Sequence, residues 1–313
     1  MYIDYKELLP CNKCGERSEY IQQLNCGPIL QLRCDCCGQC LHSSYWSELK
    51  EKWNQTNDCP QFTEVCSDSA FHIHTYRCKH AGDEDDELYI RKAIELGAKR
   101  IIFTDHAPFP GNPFGSRMDY EQLPEYISTF NRLKKKYGKR ITVQIGLEIE
   151  YLPNYRDYYY ELAEMKELQW LILGQHMYEY EPGVYSFNDT KEVKNQTEYI
   201  GLCEAMIEGV KTGLFRVVAH PDRAFRRRKV WDDSMTELSR RLIETAIVTG
   251  TVIEKNVSSL RRKHQYWPEF WNLLDEILSQ DESKKVFWVK GLDAHSVEEL
   301  EKSFGVGGGW YDL

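Results

Sequence analysis

Phe71-His72-Ile73-His74-Thr75 ends a predicted β-strand and is the part of the sequence that decides the fold. Successive side chains of a strand point to opposite faces, so His72 and His74 point to the same side. Two imidazoles on one side of a strand end can chelate one metal ion. A single motif of this kind also arises by chance, so its weight depends on what accompanies it elsewhere in the chain.

Similar groups recur along the chain, because histidines and carboxylates follow one predicted strand after another. Seven of the nine histidines lie in these groups. After the first motif come His80, Thr104-Asp105-His106, Gly146-Leu147-Glu148, Gly174-Gln175-His176, His220-Pro221-Asp222 and Asp293-Ala294-His295. Structural histidines would be scattered instead. The pattern therefore predicts one metal site that is assembled from distant segments.

Predicted strands and helices alternate from residue 70 onward. The strands are predicted at 70–75, 100–104, 141–149, 170–173, 215–219, 251–254 and 286–289, and the helices at 83–96, 119–137, 156–166, 191–212, 233–249 and 267–279. This alternation is typical of α/β proteins with parallel strands, and seven such units favour a barrel. Catalytic residues of βα barrels lie at the C-terminal ends of the strands, which is where every motif falls.

Length, composition and charge limit the class of protein. The 313 residues, of which 42% are hydrophobic, fit one large barrel with a small appendage. There is no apolar run of about 18 residues and no signal-peptide pattern, so we expect a cytoplasmic protein without a membrane partner. The net charge of −9 disfavours nonspecific binding to nucleic acid.

The N-terminal segment, residues 1–58, is rich in cysteine and predicts a metal-stabilised domain. Cys11 and Cys14 form one CxxC pair, and Cys34 and Cys37 form another. Two such pairs about 20 residues apart fit a zinc ribbon, in which four thiolates bind one structural zinc ion. The exact ligands stay open, because other donors lie within reach: Cys26, Cys36, Cys40 and His42.

The zinc ribbon resembles the small ribbon of the restriction-alleviation (Lar-like) family. The resemblance rests on Leu8-Leu9-Pro10-Cys11-Asn12-Lys13-Cys14-Gly15, Cys34-Asp35-Cys36-Cys37-Gly38 and Leu49-Lys50-Glu51-Lys52-Trp53-Asn54. It implies a setting in phage or mobile-element proteins, although a zinc-stapled appendage without a partner is an equal alternative. Polar and turn-forming residues at 59–69 are interpreted as a linker, which leaves 70–313 for the barrel.

The barrel segment resembles the PHP (polymerase and histidinol phosphatase) family of metal-dependent phosphoesterases, and most of all its histidinol-phosphatase branch. The similar stretches are 71–81, 103–110, 146–151, 173–176 and 291–295. The resemblance implies a distorted seven-stranded (β/α) barrel with a trinuclear metal site. One ion would bind His72, His74, Glu148 and Asp293, a second would share Glu148 and add His176 and His220, and a third would bind His80, His106 and His295.

The implied reaction is hydrolysis of a phosphate monoester, such as histidinol phosphate, by metal-bound hydroxide. Three divalent cations neutralise phosphate oxygens, lower the pKa of a water and stabilise the leaving oxygen. Imidazole and carboxylate ligands suit zinc, iron and manganese alike, so the ligand types do not identify the metal. Every ligand position of the family's pattern holds a competent side chain, which argues against an inactive relative.

Other residues near the strand ends are candidates for proton transfer and substrate binding. Asp222 either orients a ligand histidine, shuttles a proton or forms a turn, and for Asp105 we favour an orienting role. Arginine forks match phosphate geometry. The candidate substrate-binding residues are Arg117, Arg223, Asn256, Arg261 and Arg262, and of these Asn256 best matches the histidinol-phosphatase pattern.

The sequence departs from that pattern at Lys255, Ser259 and Leu292, which puts the particular substrate in doubt more than the chemistry.

Two alternative functions stay open. One is a phosphoesterase or nuclease acting on nucleotides or nucleic-acid ends, guided by the ribbon, for which the basic run at 226–229 is a weak indication. The other is a non-catalytic binding protein that uses the ribbon. The sequence does not indicate the oligomeric state.

Overall fold

The computed structural model describes residues 4–188, 194, 196–262 and 264–306. Its N-terminal part is a three-stranded antiparallel sheet followed by one helix. These elements are β1 (Ile21–Cys26), β2 (Ile29–Cys34), β3 (Cys40–Ser43) and α1 (Trp46–Asn57). Trp53 and Leu49 of α1 are fully buried and lie one turn apart on one face of the helix.

The remaining chain forms an eight-stranded sheet surrounded by helices, with a small hairpin beside it. The strands are β4 (Phe62–Val65), β5 (Ser69–Ile73), β6 (Arg100–His106), β7 (Thr142–Ile149), β8 (Leu168–Leu173), the hairpin β9 (Glu179–Glu181) and β10 (Val184–Tyr185), then β11 (Val217–Val218), β12 (Val252–Asn256) and β13 (Val286–Gly291). All pairs in the large sheet are parallel, in the order β4-β13-β12-β11-β8-β7-β6-β5. All seven predicted barrel strands are therefore present.

The helices that cover the sheet are α2 (Asp86–Glu95), α3 (Leu123–Tyr137), α4 (Arg156–Glu164), α5 (Glu198–Lys211), α6 (Asp233–Thr249), α7 (Val257–Leu260), α8 (Pro268–Ser279) and α9 (Val297–Phe304). Helix α6 has the bounds that were predicted, because the Asp232 side chain caps its first turn and Gly250 ends it at φ 66°. The start of the helix predicted at 191–212 falls partly outside the described residues. None of the described helices is long and apolar enough to cross a bilayer.

The sheet closes into a distorted barrel because its first strand is broken in two. Strand β4 pairs with the start of β13, whereas β5 pairs with β6 and returns to β13 through a bridge between Ile73 and Ala294. Between them, Cys66 adopts a left-handed conformation at φ 57°. The segment interpreted as a linker, 59–69, thus contains a barrel strand. This short strand forms through its pairing with β13, and the polar residues of the segment gave no strand pattern in the sequence.

The ribbon packs against the N-terminal end of the barrel and closes it. Ribbon cysteines and barrel-interior side chains belong to one apolar cluster, which includes Cys11, Cys14, Cys34, Trp53, Phe71, Ile102, Trp170 and Val252. Gln144 Nε2 donates to the carbonyl oxygen of Cys36 at 2.8 Å. Arg17 donates to the carbonyl oxygens of Gly213 and Phe215, just before β11. The ribbon therefore lies at the opposite end from the strand-end motifs.

Candidate active site

The nine predicted metal ligands lie at the C-terminal ends of the barrel strands or in the loops that follow. They are His72 in β5, His74 and His80 after it, His106 in β6, Glu148 in β7, His176 after β8, His220 after β11, and Asp293 and His295 after β13. The parallel strands bring these distant side chains to one end of the barrel. The predicted ligands therefore lie close together, and their binding of metal ions stays a prediction.

Glu148 lies at the centre of this cluster and is almost fully buried. Its Oε2 lies 3.3 Å from His72 Nε2, 3.5 Å from His74 Nε2 and 3.2 Å from His106 Nδ1, while its Oε1 lies 2.8 Å from His220 Nε2 and 3.6 Å from His176 Nε2. Each carboxylate oxygen thus faces a different set of imidazoles. Glu148 could therefore offer an oxygen atom to more than one group of imidazoles.

The other ligands complete two further groups beside Glu148. Asp293 Oδ1 lies 3.4 Å from His74 Nε2 and 4.0 Å from His72 Nε2. His80 Nε2 and His295 Nε2 are 3.1 Å apart, and a nitrogen of His106 lies within 4.8 Å of both. The close groups His72/Glu148/His220, His72/His74/Asp293 and His80/His106/His295 draw on the ligand sets that the family resemblance implies, although the first has His72 where the implied set has His176.

Three ligand atoms indicate that the cluster fits a metal. His72 Nε2, His74 Nε2 and Glu148 Oε2 are buried and have no hydrogen-bond partner among the described residues. Buried polar atoms without a partner are rare because they lose the hydrogen bonds of water. A divalent cation would provide the missing partner for all three, and imidazole with carboxylate suits zinc, iron or manganese.

The pKa values of two ligands favour metal binding, which requires neutral imidazole. Burial, together with the neighbouring His295, lowers the pKa of His74 to about 3. Burial likewise lowers the pKa of His220 to about 4, with a contribution from Arg223. Both rings are therefore neutral at pH 7 and keep a lone pair for a cation.

The backbone is strained where it presents ligands. His72, His220 and Asp293 adopt left-handed conformations, at φ 68°, 32° and 49°. Side chains other than glycine rarely tolerate this region, and such strain concentrates at functional sites. Three of the nine ligands therefore sit on backbone that the surrounding structure must hold in place.

Two buried glutamates that the sequence analysis missed hold ligand histidines. His72 Nδ1 donates to Glu254 Oε1 at 2.6 Å, and Glu254 Oε2 accepts the backbone N–H of His220 at 2.9 Å. His176 Nδ1 lies 3.1 Å from Glu150 Oε1. Metal-bound histidines usually donate their second ring N–H to such partners. The signal in the sequence was a carboxylate at the end of an apolar strand.

The predicted catalytic aspartates are buried near the site but contact other groups. Asp105 accepts the backbone N–H of Thr75 at 2.6 Å and the thiol of Cys78 at 3.0 Å, and thus holds the loop after His74. Asp222 accepts the backbone N–H of Trp267 at 2.9 Å, next to the start of α8. Burial raises the pKa of Asp222 to about 7. Their catalytic roles stay predictions.

Two of the candidate substrate-binding residues come together beside a ligand. Arg223 Nη2 lies 2.5 Å from Asp293 Oδ2, 3.0 Å from Asn256 Oδ1 and 3.0 Å from Ser259 Oγ. Ser259, one of the departures from the family pattern, thus supplies an additional acceptor that fixes Arg223. Arg223 and Asn256 are therefore placed to influence whatever binds at the Asp293 side of the cluster.

The other candidate arginines are placed differently. Arg117 is buried and forms a forked ion pair with Glu150, at 2.9 and 3.2 Å. Its guanidinium is therefore engaged by the carboxylate that contacts His176, so its first role is to orient that carboxylate. Arg261 and Arg262 are exposed and follow α7.

The basic run at 226–229 is largely neutralised. Arg226 and Arg227 pair with Glu198, and Arg228 pairs with Asp232 at 2.7 Å. The three arginines therefore form ion pairs with carboxylates at the starts of α5 and α6. They give no support to the idea that the run binds a nucleic-acid backbone.

The four predicted ribbon ligands form a separate metal group. The sulfur atoms of Cys11 and Cys37 are 3.5 Å apart, as are those of Cys14 and Cys34, and all four lie within 4.8 Å of one another. Thiolates on tetrahedral zinc are about 3.8 Å apart. The geometry therefore favours these four over the other nearby donors, and the fit to a structural zinc ion is good.

Curated relatives of this chain are phosphatases. A probable histidinol-phosphatase of Deinococcus radiodurans is 31% identical over 160 residues, which cover 48% of this chain and 59% of that protein. The histidinol-phosphatase of Bacillus subtilis is 25% identical over 259 residues, which cover 73% of this chain and 94% of the relative. The chain thus matches less than two thirds of the first relative and nearly all of the second. Both belong to the predicted enzyme class, the phosphoric monoester hydrolases.

Solved structures confirm the fold. A putative histidinol phosphatase of Listeria monocytogenes superposes with a TM-score of 0.61 at 21% identity, covering 78% of this chain and 98% of that chain. The histidinol phosphate phosphatase of Lactococcus lactis, in complex with zinc, L-histidinol and phosphate, gives a TM-score of 0.55 at 18% identity, covering 76% and 94%.

The sequence profile of the PHP domain matches residues 70–258, which is more than half of the chain. This region contains all the predicted ligands of the barrel except Asp293 and His295. Those two lie after β13 and belong to the same cluster. The ribbon's resemblance to the restriction-alleviation family stays a prediction. The barrel, its strand-end ligands and the matched profile agree, and the chain belongs to the PHP domain family.

Proposed function

We propose that this protein is a metal-dependent phosphatase that hydrolyses a small phosphate monoester related to histidinol phosphate. One observation carries the proposal: side chains from six strand ends, Glu148 among them, form one cluster, and buried ligand atoms there have no hydrogen-bond partner in the described part of the chain. The relatives of known activity support the same reaction. Two ligand groups share His72 and a third, His80/His106/His295, stands beside them, which supports more than one divalent ion in the barrel; three ions is our proposal.

The bound ions would supply charge for the phosphate oxygens and make a water nucleophilic. The protein's own contribution is to hold the ligands and admit the substrate from one side. His72 and His74 are fully buried, whereas the side chains of His176 and His295 are 27% and 19% exposed. The phosphate group therefore approaches over His176 and His295, with Glu148 at the floor of the site.

Arg223 and Asn256 are proposed to define the Asp293 side of the substrate pocket. The ion pair between Arg223 and Asp293 fixes the ligand carboxylate. The guanidinium is held by Ser259 and Asn256 as well, so its position is set before a substrate arrives. A fixed cation beside the ligands adds affinity for an anionic phosphate without the cost of ordering a flexible side chain.

The particular leaving group is also a proposal. The Lactococcus neighbour binds L-histidinol and phosphate, which favours a small amino alcohol phosphate here. Lys255, a departure from the family pattern, packs its ammonium 5.0 Å from the ring centroids of Phe62 and Trp271. These rings belong to β4 and α8, so the ammonium of Lys255 packs between the sheet and a covering helix.

The ribbon is proposed to be structural, with one zinc ion bound by Cys11, Cys14, Cys34 and Cys37. It packs at the barrel end that is opposite to the ligand cluster. This packing favours a role in closing the barrel over a role in guiding nucleic acid to the metals. The nuclease alternative is correspondingly weaker.

A substrate panel tests the proposed function. Metal-loaded protein would be given p-nitrophenyl phosphate, L-histidinol phosphate, mononucleotides and short oligonucleotides, with phosphate release as the readout. We expect the highest kcat/KM with the small amino alcohol phosphate. His72→Ala should abolish turnover, while His42→Ala, in the exposed ribbon, should leave it unchanged. No hydrolysis of any substrate, or full activity in His72→Ala, would overturn the proposal.

A further inference from the structure

Cys78 is a buried residue of the site to which no role has been given so far. It ends the short turn Tyr76–Cys78 that follows the first motif, and its side chain is fully buried. Its sulfur lies 3.3 Å from His74 Nδ1 and 3.0 Å from Asp105 Oδ1. The residue thus sits between a ligand imidazole and a buried carboxylate.

The same residue contacts two other ligands. The backbone N–H of His106 donates to the Cys78 sulfur at 3.2 Å, and the carbonyl oxygen of Cys78 lies 2.7 Å from His80 Nδ1. One residue therefore touches three ligand histidines that come from two segments of the chain. A thiol that only filled space would not need the polar contacts that its sulfur makes with His74, Asp105 and the His106 backbone.

Donor and acceptor roles follow from the chemistry of the three groups. The Asp105 carboxylate can only accept, so the Cys78 thiol donates its proton to it. The sulfur then accepts from His74 Nδ1–H, and the donated thiol proton makes it a better acceptor. With Nδ1 protonated, His74 keeps its lone pair on Nε2, the atom that faces Asp293 and Glu148.

We infer that Cys78 is a positioning residue that connects Asp105 to His74 and fixes the ring orientation and tautomer needed for metal binding. The inference rests on the proposed function only in placing metal ions at His74 Nε2. A carboxylate or carbonyl group usually takes this place behind a metal-bound histidine. Here the Cys78 thiol lies between the histidine and the carboxylate of Asp105.

An alternative is that the sulfur is itself a ligand, because Cys78, His74 and His106 lie close enough to hold an ion together. The orientation of His74 argues against this. Its Nδ1 faces the sulfur, while its Nε2 faces the carboxylates of Glu148 and Asp293. One ring cannot offer both nitrogens to the same ion.

Metal affinity is the measurement that tests the inference independently of turnover. Zinc or manganese binding by the barrel would be measured by competition with a chromophoric chelator in Cys78→Ala, Cys78→Ser and Cys203→Ala. Cys203 is an equally buried thiol in α5 and serves as the matched control. We expect affinity to fall about 10–100-fold in Cys78→Ala, to recover largely in Cys78→Ser, and to stay unchanged in Cys203→Ala.

Cobalt substitution separates positioning from ligation. A thiolate ligand would give a sulfur-to-cobalt charge-transfer band that disappears in Cys78→Ser, on top of the constant band of the ribbon cysteines. We expect no such band in the difference spectrum. A lost band, or wild-type metal affinity in Cys78→Ala, would overturn the inference.

Two further outcomes remain interpretable. If Cys78→Ala does not fold, Asp105→Asn provides the second variant, and its metal affinity should also fall; an unchanged affinity would contradict the connection. If the wild-type protein binds barrel metals but hydrolyses no phosphoester, the proposed function fails while the role of Cys78 in metal binding is still measured.

Discussion

Glu254→Gln is the substitution that most directly tests how the barrel holds its ligands. Glu254 is fully buried, and its two oxygens serve three donors. Oε1 accepts from His72 Nδ1 at 2.6 Å, and Oε2 accepts from the His220 backbone at 2.9 Å and from Asn256 Nδ2 at 3.1 Å. Glutamine keeps the shape but replaces one acceptor with an NH2 group.

The structure gives the size of the effect. Whichever way the amide turns, at least one buried donor faces an N–H, which costs about 1–3 kcal/mol. The hydrogen bond to His72 also loses the negative charge that strengthened it. Because about 1.4 kcal/mol corresponds to a factor of ten, metal affinity should fall about 10–100-fold.

Competition with a chromophoric chelator would measure this change. Glu64→Gln is the matched control, because Glu64 is a half-buried strand carboxylate on β4 whose charge interacts with Lys290 and Lys255. We expect its metal affinity to equal that of the wild type. Unchanged affinity in Glu254→Gln would refute the reasoning that Glu254 orients His72 and His220.

Three further predictions concern Glu148 and the ribbon. A Cβ at Gly174 would lie 2.0 Å from Glu148 Oε1, so Gly174→Ala should weaken metal binding at least about tenfold by chelator competition, whereas Gly115→Ala, with no atom within 4 Å, should not. Gln144→Leu removes two buried hydrogen bonds, one to the Cys36 carbonyl oxygen that joins barrel and ribbon and one from Trp170 within the barrel, so urea unfolding should show a loss of about 2–4 kcal/mol with normal metal affinity in the barrel; equal stability would contradict that role. Cys37→Ser should lower the thermal midpoint of the whole chain in a single transition, because ribbon and barrel share an apolar cluster; an unaltered barrel transition would show that they fold independently.

The ligand cluster could be predicted from sequence because both of its signals are local. Each barrel strand is a short apolar run, and each ligand lies at the end of its own run, as Glu148 does in β7. Parallel strands then bring the ends together without further information. The bounds of helix α6 could be predicted for the same reason, since Asp232 and Gly250 mark its two ends in the sequence.

The features that were missed depend on long-range contacts. Strand β4 has only four residues and exists through its pairing with β13. Glu254 interrupts an apolar strand, and only the fold shows that His72 lies opposite it. Arg117 has the chemistry of a phosphate-binding residue, but burial beside Glu150 determines its partner. Nothing local indicates which end of the barrel the ribbon covers.

The position of the ribbon has a practical consequence for handling the protein. Cys26 ends β1 beside the exposed turn to β2, and it is the one exposed cysteine in the described part of the chain. A maleimide dye or a surface tether attached there would sit on the ribbon, away from the strand ends that bear the ligands. Molecules immobilised through Cys26 should therefore all present the mouth of the barrel to the surrounding solution.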